Sequence, residues 1–450
     1  MTNPMNSSMN SPLNNPIDIL DKKPMTGWQI VVVILAIGLN ALDGIDILAI
    51  SFAAPGISAE WGINRAALGI VLSMELIGMC VGSILLGGMA DGIGRRKTIL
   101  FCLVLMTIGM FMVTTVDGIY GLSFWRVITG FGIGGMLAAI NPIAAEFSNA
   151  KNRTLSLSLV VIGYPIGGII CGTLIAPLLK THDWRSVFYL GAFATLLFIP
   201  LVYFWIPESV HWLVKKQPEN ALAKVNHTLK KLGQDIVTLL PTPNADSPKL
   251  SIFDIFNKKM FATTVIVTIA YLFHITTFYF ILKWTPKIVV DMGFAASSAA
   301  VVLTWANVGG AIGGALFGFA ALRFGLKFLT IAILLASVIT ISIFGRAPTD
   351  LTSIAWLAAI AGFCTNAGVV GLYSIFAFAF PTHVRAFGTG FAIGIGRGGA
   401  VISPMIAGFL FNAGISLPTV AMVMAMGSLI AVIALIFLKL PDKSKVLASD

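Results

Sequence analysis

The stretch "LDGIDILAI" at residues 42–50 sets Asp43 and Asp46 inside a long apolar run that begins at Trp28. A carboxylate at the centre of a bilayer costs about 2.5–3.5 kcal/mol on insertion scales, so ionisable groups at that depth are rare and usually functional. Three residues apart on a helix, the two acids occupy adjoining parts of one face, together with Asn40. Glu75, Arg126 and Arg397 also fall deep inside apolar runs. A carboxylate shielded from water holds a proton near neutral pH. A guanidinium stays charged and grips a carboxylate through paired N–H donors. Together these residue types can carry protons on Asp43, Asp46 and Glu75 and hold an organic anion on Arg397. Arg126 matches Asp46 in depth on a helix of opposite direction, so an Asp46–Arg126 pair is expected if those helices are neighbours. Tyr279, Trp305 and Tyr373 offer rings for stacking, and Asn307, Asn366 and His274 offer hydrogen bonds. The competing reading, charge pairs that merely hold helices together, is weakened because buried ion pairs stabilise poorly.

The elements that must position these groups follow from composition. Of 450 residues, 57% are hydrophobic and 11% charged, more apolar surface than a soluble fold can hide. No polar block is long enough for a soluble catalytic domain. Apolar windows place spans at 28–57, 65–90, 98–116, 119–146, 154–179 and 185–206, then at 260–284, 297–322, 326–345, 351–380, 386–411 and 417–438. The expected organisation is a disordered tail (1–26), a six-helix bundle (27–206), a linker (207–258), a second six-helix bundle (259–439) and a short tail (440–450). Within the linker, "HWLVKKQPENALAKVNHTLKKL" reads as an amphipathic surface helix. The tail 1–26 lacks the features of a signal peptide. Cys80, Cys102, Cys171 and Cys364 have no paired spacing and read as small apolar residues.

Most of the 29 lysines and arginines fall on the side of the termini and linker. Arg65, Lys180, Arg185, Lys283, Lys287 and Arg346 are assigned to the other side, with Arg126 and Arg397 inside spans. That asymmetry predicts cytoplasmic termini. It also explains the net charge of +10 as topology, without a nucleic-acid partner.

The halves repeat. "GYPIGG" at 163–168 pairs with "GIGRGG" at 394–399, and Gly94 in "GIGRRK" pairs with Gly325 in "RFGLKF" at the same offset, which supports an ancestral duplication. That offset sets His274 opposite Asp43. In "GGMADGIGRRK" (87–97), small residues such as Gly87 let helices approach closely, Gly94 permits a tight reversal, and Asp91 can pair with Arg95 or Arg96. Such a charged latch between halves would hold one conformation and release in another.

This loop resembles the signature of the major facilitator superfamily, as do "RVITGFGIGG" (126–135) and "PES" (207–209). The resemblance covers nearly the whole chain and implies twelve helices in two pseudo-symmetric bundles, an all-α membrane fold. The segments "LDGIDILAISFAAPGISAEWGI" (42–63), "AAEFSNAKNRT" (144–154), "FPTHVRAFGTG" (380–390) and "GRGGAVISP" (396–404) resemble the aromatic acid:proton symporters. By that resemblance Asp43, Asp46, Asp91, Glu146, Arg126, Arg385 and Arg397 correspond to functional positions. Ile45 stands where that family usually has an aromatic residue, and Leu322 where the second-half loop often keeps an Asp.

The expected function is proton-coupled import of a small aromatic carboxylate across a bacterial inner membrane, by a monomer without cofactor or metal. Asn40 and Arg126 join the substrate set. Gating is assigned to Asp91 with Arg95 and Arg96, to Glu146 with Arg153, and to Arg385. The rival readings are the same fold carrying a sugar acid, nicotinate or a dicarboxylate, a drug:proton antiporter, and a transporter-like receptor. No P-loop, zinc motif or nucleophile elbow occurs that would support an ATPase or an enzyme.

Overall fold

The computed structural model describes residues 15–241, 255–257, 260–380 and 384–438, and among these residues it is helical with no strand. A short helix α1 (Pro16–Lys22) precedes six long ones: α2 (Gly27–Trp61), α3 (Arg65–Ile93), α4 (Arg95–Val113), α5 (Ile119–Glu146), α6 (Arg153–Leu178) and α7 (Arg185–Trp205). The linker forms α8 (Val210–Lys216) and α9 (Ala221–Lys231). Six long helices follow: α10 (Phe261–Asp291), α11 (Ala296–Phe324), α12 (Leu326–Phe344), α13 (Leu351–Ala379), α14 (Arg385–Asn412) and α15 (Leu417–Phe437). These twelve are long and apolar enough to cross a membrane. Helices α2–α7 pack together, α10–α15 likewise, and the two sets meet along α3 and α14, α6 and α11, and α2 and α10.

Three expectations change. The tail 1–26 contains α1, capped by the Asn15 side chain and tied down by ion pairs from Asp21 to Arg153 and from Lys23 to Asp235. The linker helix is two helices, broken where Gln217 and Asn220 take positive φ. Most consequential is α10, which continues past residue 284 through Pro286 to Asp291. A proline inside a membrane-spanning helix is tolerated where surrounding groups or local backbone adjustment take up the freed carbonyl. Lys283 thereby lies about two turns inside the helix.

Because α1, α8 and α9 gather at one end, that end is called the linker end and the opposite one the far end. At the far end the two helix sets are sealed. Ser73 Oγ donates to the Val401 carbonyl at 2.7 Å, Gly69 abuts Pro404 and Gly408, and Arg65 pairs with Asp291 at 3.0 Å. Gly168 and Gly172 of α6 lie against Asn307 and Thr304 of α11. Follow the same helix faces toward the linker end and the contacts stop. Gly390, Gly394 and Gly398 of α14 face open space, with no neighbour within 4 Å of where a Cβ would stand, and so does Gly318 of α11. Ile84 of α3 is 76% exposed and Phe319 of α11 is 75% exposed. The seam is closed at the far end and splayed at the linker end.

Candidate functional site

Glycines set the helix spacing that brings the charges together. Gly130 and Gly134 of α5 face the Glu75 and Met79 carbonyls of α3, while Gly78 and Gly82 of α3 face the α5 backbone at Val127 and Phe131. Close backbone contact of this kind is how membrane helices associate without a hydrophobic driving force. It brings Glu75 and Arg126 side by side. The glycine between the two aspartates has the same purpose, because Gly44 lies against the Tyr164 carbonyl of α6. Asn40 completes that α2–α6 contact by donating to the Val160 carbonyl at 2.5 Å.

Six ionisable side chains lie at the middle of the seam. Glu75 and Arg126, both fully buried, form an ion pair. Lys283 crosses from the other helix set, donating to the Ile47 carbonyl at 2.5 Å and lying 3.5 Å from Glu75. The charges that bear on Asp43 are Arg397, Glu75 and Lys283, and those that bear on Asp46 are Glu75, Arg126 and Asp43. One carboxylate oxygen of Asp43 and both of Asp46 are buried without a hydrogen-bond partner among the described residues. Three acids thus face three bases, neutral as a set when every member is ionised. Arg397, half-buried on the splayed part of α14, is the base with no ion-pair or hydrogen-bond partner among the described residues.

The second helix set supplies rings near Arg397 and amides in a separate recess. The hydroxyls of Tyr271 and Tyr373 are 2.9 Å apart, and Arg397 and Tyr279 are both close enough to bear on Tyr271. Asn307, Asn366, Phe278 and Tyr164 line a small recess where α6 meets α10, α11 and α13. The Asn366 amide donates to Gly310 at 2.6 Å and the Asn307 amide to Leu303 at 2.9 Å, leaving their carbonyl oxygens for other partners. The Tyr164 hydroxyl is buried and unpartnered among the described residues.

Several expected roles do not survive this geometry. Arg126 pairs with Glu75 rather than with the Asp46 carboxylate. It donates to the Asp46 main-chain carbonyl at 2.9 Å and to Met110 sulfur at 3.2 Å, and it lies under the Phe188 ring, sealed from any substrate. His274 is consumed by Thr365 and Ser428, each at 2.9 Å, and ties α10 to α13 and α15. Trp305 turns outward, 43% exposed and stacked on Trp356, so it cannot line the seam. Asn40 is a helix tie. Two participants escape the sequence pattern. Lys283 is counted with the far side there because it lies one residue from the end of the apolar window at 284. Tyr164 lies in "GYPIGG", a motif that stands out by its glycines alone.

At the linker end, Asp91 pairs with Arg95 at 2.5 Å as expected, and Arg95 lies 3.7 Å from Glu146. Arg96 instead turns to the Tyr203 carbonyl at 2.5 Å and stacks over that ring. Arg153 pairs with Asp21, not with Glu146. Gly94 takes φ +111°, where its missing side chain leaves room for the Glu208 carboxylate. Glu208 accepts from the Arg95 and Arg96 amides at 2.8 and 3.3 Å, capping α4 from outside the helix. Burial raises the Glu208 carboxyl above its ordinary range, against these donors and Arg96, which draw it down. Gly87 packs on Ala138. Arg385 donates to the Phe380 carbonyl at 3.3 Å. Every pairing named for Asp91, Arg95, Arg96, Glu146 and Arg153 stays on the first helix set and its flanking segments, consistent with a splayed linker end.

The chain is 26% identical to the gallate transporter of Pseudomonas putida over 94% of this chain and 95% of the relative. It is 28% identical to the 4-hydroxybenzoate transporter PcaK of the same organism over 88% and 89% of the two chains. Among solved structures, the partially occluded inward-open conformation of the xylose transporter XylE from E. coli matches with a TM-score of 0.71 at 17% identity, covering 92% of this chain and 99% of that one. The family model for the Major Facilitator Superfamily matches residues 36–305. The chain therefore belongs to the major facilitator superfamily, and it is a membrane transporter rather than an enzyme.

Proposed function

We propose that the protein imports a small aromatic carboxylate together with protons across the bacterial inner membrane, by alternating exposure of the Arg397 site. The observation that carries this reading is Arg397, a cation with no ion-pair or hydrogen-bond partner among the described residues, at the open part of a seam whose six charges together sum to zero. A guanidinium there is built for a carboxylate, with Tyr279, Tyr271 and Tyr373 as the stacking surface. The substrate class draws support from relatives named for gallate and 4-hydroxybenzoate.

With the linker end cytoplasmic, as the basic residues imply, the splayed seam is the inward-facing state. Lys283 then keeps the outer end shut by bridging Ile47 and Glu75. The bundles 27–206 and 259–439 rock as two bodies about the seam. Charge balance supplies the coupling. A bound carboxylate adds one negative charge to a set that is neutral with all acids ionised, and one proton on Asp43 restores neutrality. Leaving a net charge in a closed interior costs several kcal/mol, so anion without proton is a poor traveller. Entry of an anion against a negative interior costs about 2.3 kcal/mol per 100 mV, and the same proton cancels that work. Asp46, sealed behind Asp43, and Glu75 hold further proton sites.

Thermal-shift screening of the purified protein against gallate, benzoate, hydroxybenzoates and sugar acids tests the substrate class. Aromatic acids should raise the melting temperature, and the Arg397→Gln variant should lose that response. Stabilisation by sugar acids or dicarboxylates alone would overturn the aromatic reading.

A further inference from the structure

A second cavity of about 460 Å³ opens at the linker end, outside the seam, between the α3–α4 turn and the linker helices α8 and α9. Its wall gathers Arg96, Lys97, Lys224, His227 and Lys231, with Glu208 as its carboxylate. Glu208 is engaged by the Arg95, Arg96 and Ser209 amides. Among the described residues none of the four Lys and Arg side chains forms an ion pair. Instead Lys231 donates to the Phe204 carbonyl at 2.6 Å and lies over the Trp28 ring, Arg96 leaves its Nε buried and unpartnered, and Lys224 reaches only the Glu219 carbonyl. Burial and, after it, the neighbouring Arg96 pull Lys231 below its ordinary value.

The cavity also borders apolar surface. Arg96 and Lys231 donate to two carbonyls in the last turn of α7, those of Tyr203 and Phe204, whose rings are exposed on the side of the helix. Exposed Ile93 adds to the same rim. Cations at the head and an apolar track below match the two parts of a phospholipid. A soluble anion has no use for the track.

We propose that this cavity binds the phosphate of an anionic phospholipid from the leaflet on the linker side, with Arg96, Lys97, Lys224 and Lys231 around the headgroup and the acyl chains along Tyr203, Phe204 and Ile93. The lipid bridges the α3–α4 turn to the linker helices, linking membrane composition to the Glu208–Gly94 contact at the base of the first helix set.

Native mass spectrometry of the full-length protein with added phosphatidylglycerol or phosphatidylcholine tests the site. Phosphatidylglycerol should bind more tightly. The double variant Lys97→Gln/Lys224→Gln should weaken it by about 25-fold, a factor of about five for each cation at a membrane surface. Both side chains are exposed, so the fold is retained. The control Lys215→Gln/Lys216→Gln removes the same charge from the end of α8, where neither side chain lines the cavity, and should leave binding unchanged. Equal affinity for phosphatidylcholine, or an equal loss in the control, would overturn the proposal. Melting-temperature gains from inorganic phosphate or glycerol phosphate that match those from phosphatidylglycerol would make the ligand a soluble phosphate and overturn the lipid assignment.

Discussion

Replacing Lys283 with methionine is the sharpest probe of the seam. In the far-end-closed state its ammonium lies 3.5 Å from Glu75 and 2.5 Å from the Ile47 carbonyl. At an effective dielectric of about 20, unit charges at that separation attract by about 5 kcal/mol. Taking the ammonium out of water costs several kcal/mol, so these two contributions nearly offset. What remains is a net charge-assisted hydrogen bond across the seam, about 1.5–3 kcal/mol. Losing it should shift the balance between closed and open far ends by about 10- to 100-fold. The substitution is clean because Glu75 keeps Arg126, Ile47 keeps its place in α2, and methionine has comparable length. Spin labels at Ala66 and Ala413, on the far ends of α3 and α14, would report the change. Wild type should give a short distance, and Lys283→Met should add a longer population. The opposite outcome is physically reasonable, since apolar residues often replace buried charges with a gain in stability. An unchanged or tighter far end in the variant would refute the latch.

Other outcomes follow from the same geometry. Arg397→Gln should weaken binding of the aromatic acid by at least about a hundredfold, since two charge-assisted hydrogen bonds at about 1.5–3 kcal/mol each are lost; titration calorimetry reads this directly, and unchanged affinity would remove Arg397 from the site. Gly44→Ala should lower stability by about 1–3 kcal/mol, seen as a lower melting temperature, because the added methyl meets the Tyr164 carbonyl and forces α6 from α2. Trp305→Leu should leave the KM for uptake unchanged, because that ring stacks on Trp356 at the outer surface; a rise in KM would return Trp305 to the seam.

Lengths and depths are legible in the sequence, and directions are not. All twelve crossings follow from apolar run length, and Asp43, Glu75, Arg126 and Arg397 fall at nearly the right heights because rise per residue is constant. Which way a side chain points is another matter. In water an apolar stripe marks the buried face, but a helix surrounded by lipid is apolar on every side, so nothing in the pattern separates inward Tyr279 from outward Trp305. The Asp46–Arg126 pairing fails for a related reason. Depth brings the two residues level, while Gly130 and Gly134 rotate Arg126 onto Glu75 of α3. Lys283 is hidden by its neighbours, since Lys283, Pro286 and Lys287 read as a helix end. His274 is polar and deep, yet its partners Thr365 and Ser428 lie on two distant segments that only the fold brings together.

Coupled flux in proteoliposomes tests the central claim most directly: that a buried charge set, neutral when empty, admits an anion only with a proton. With labelled 4-hydroxybenzoate outside and a pH electrode in the medium, wild-type uptake should alkalinise the exterior and collapse with a protonophore. Asp43→Asn should lose accumulation yet still exchange substrate across the membrane. Accumulation by wild type that ignores the protonophore, or by a well-folded Asp43→Asn variant at wild-type levels, would contradict it.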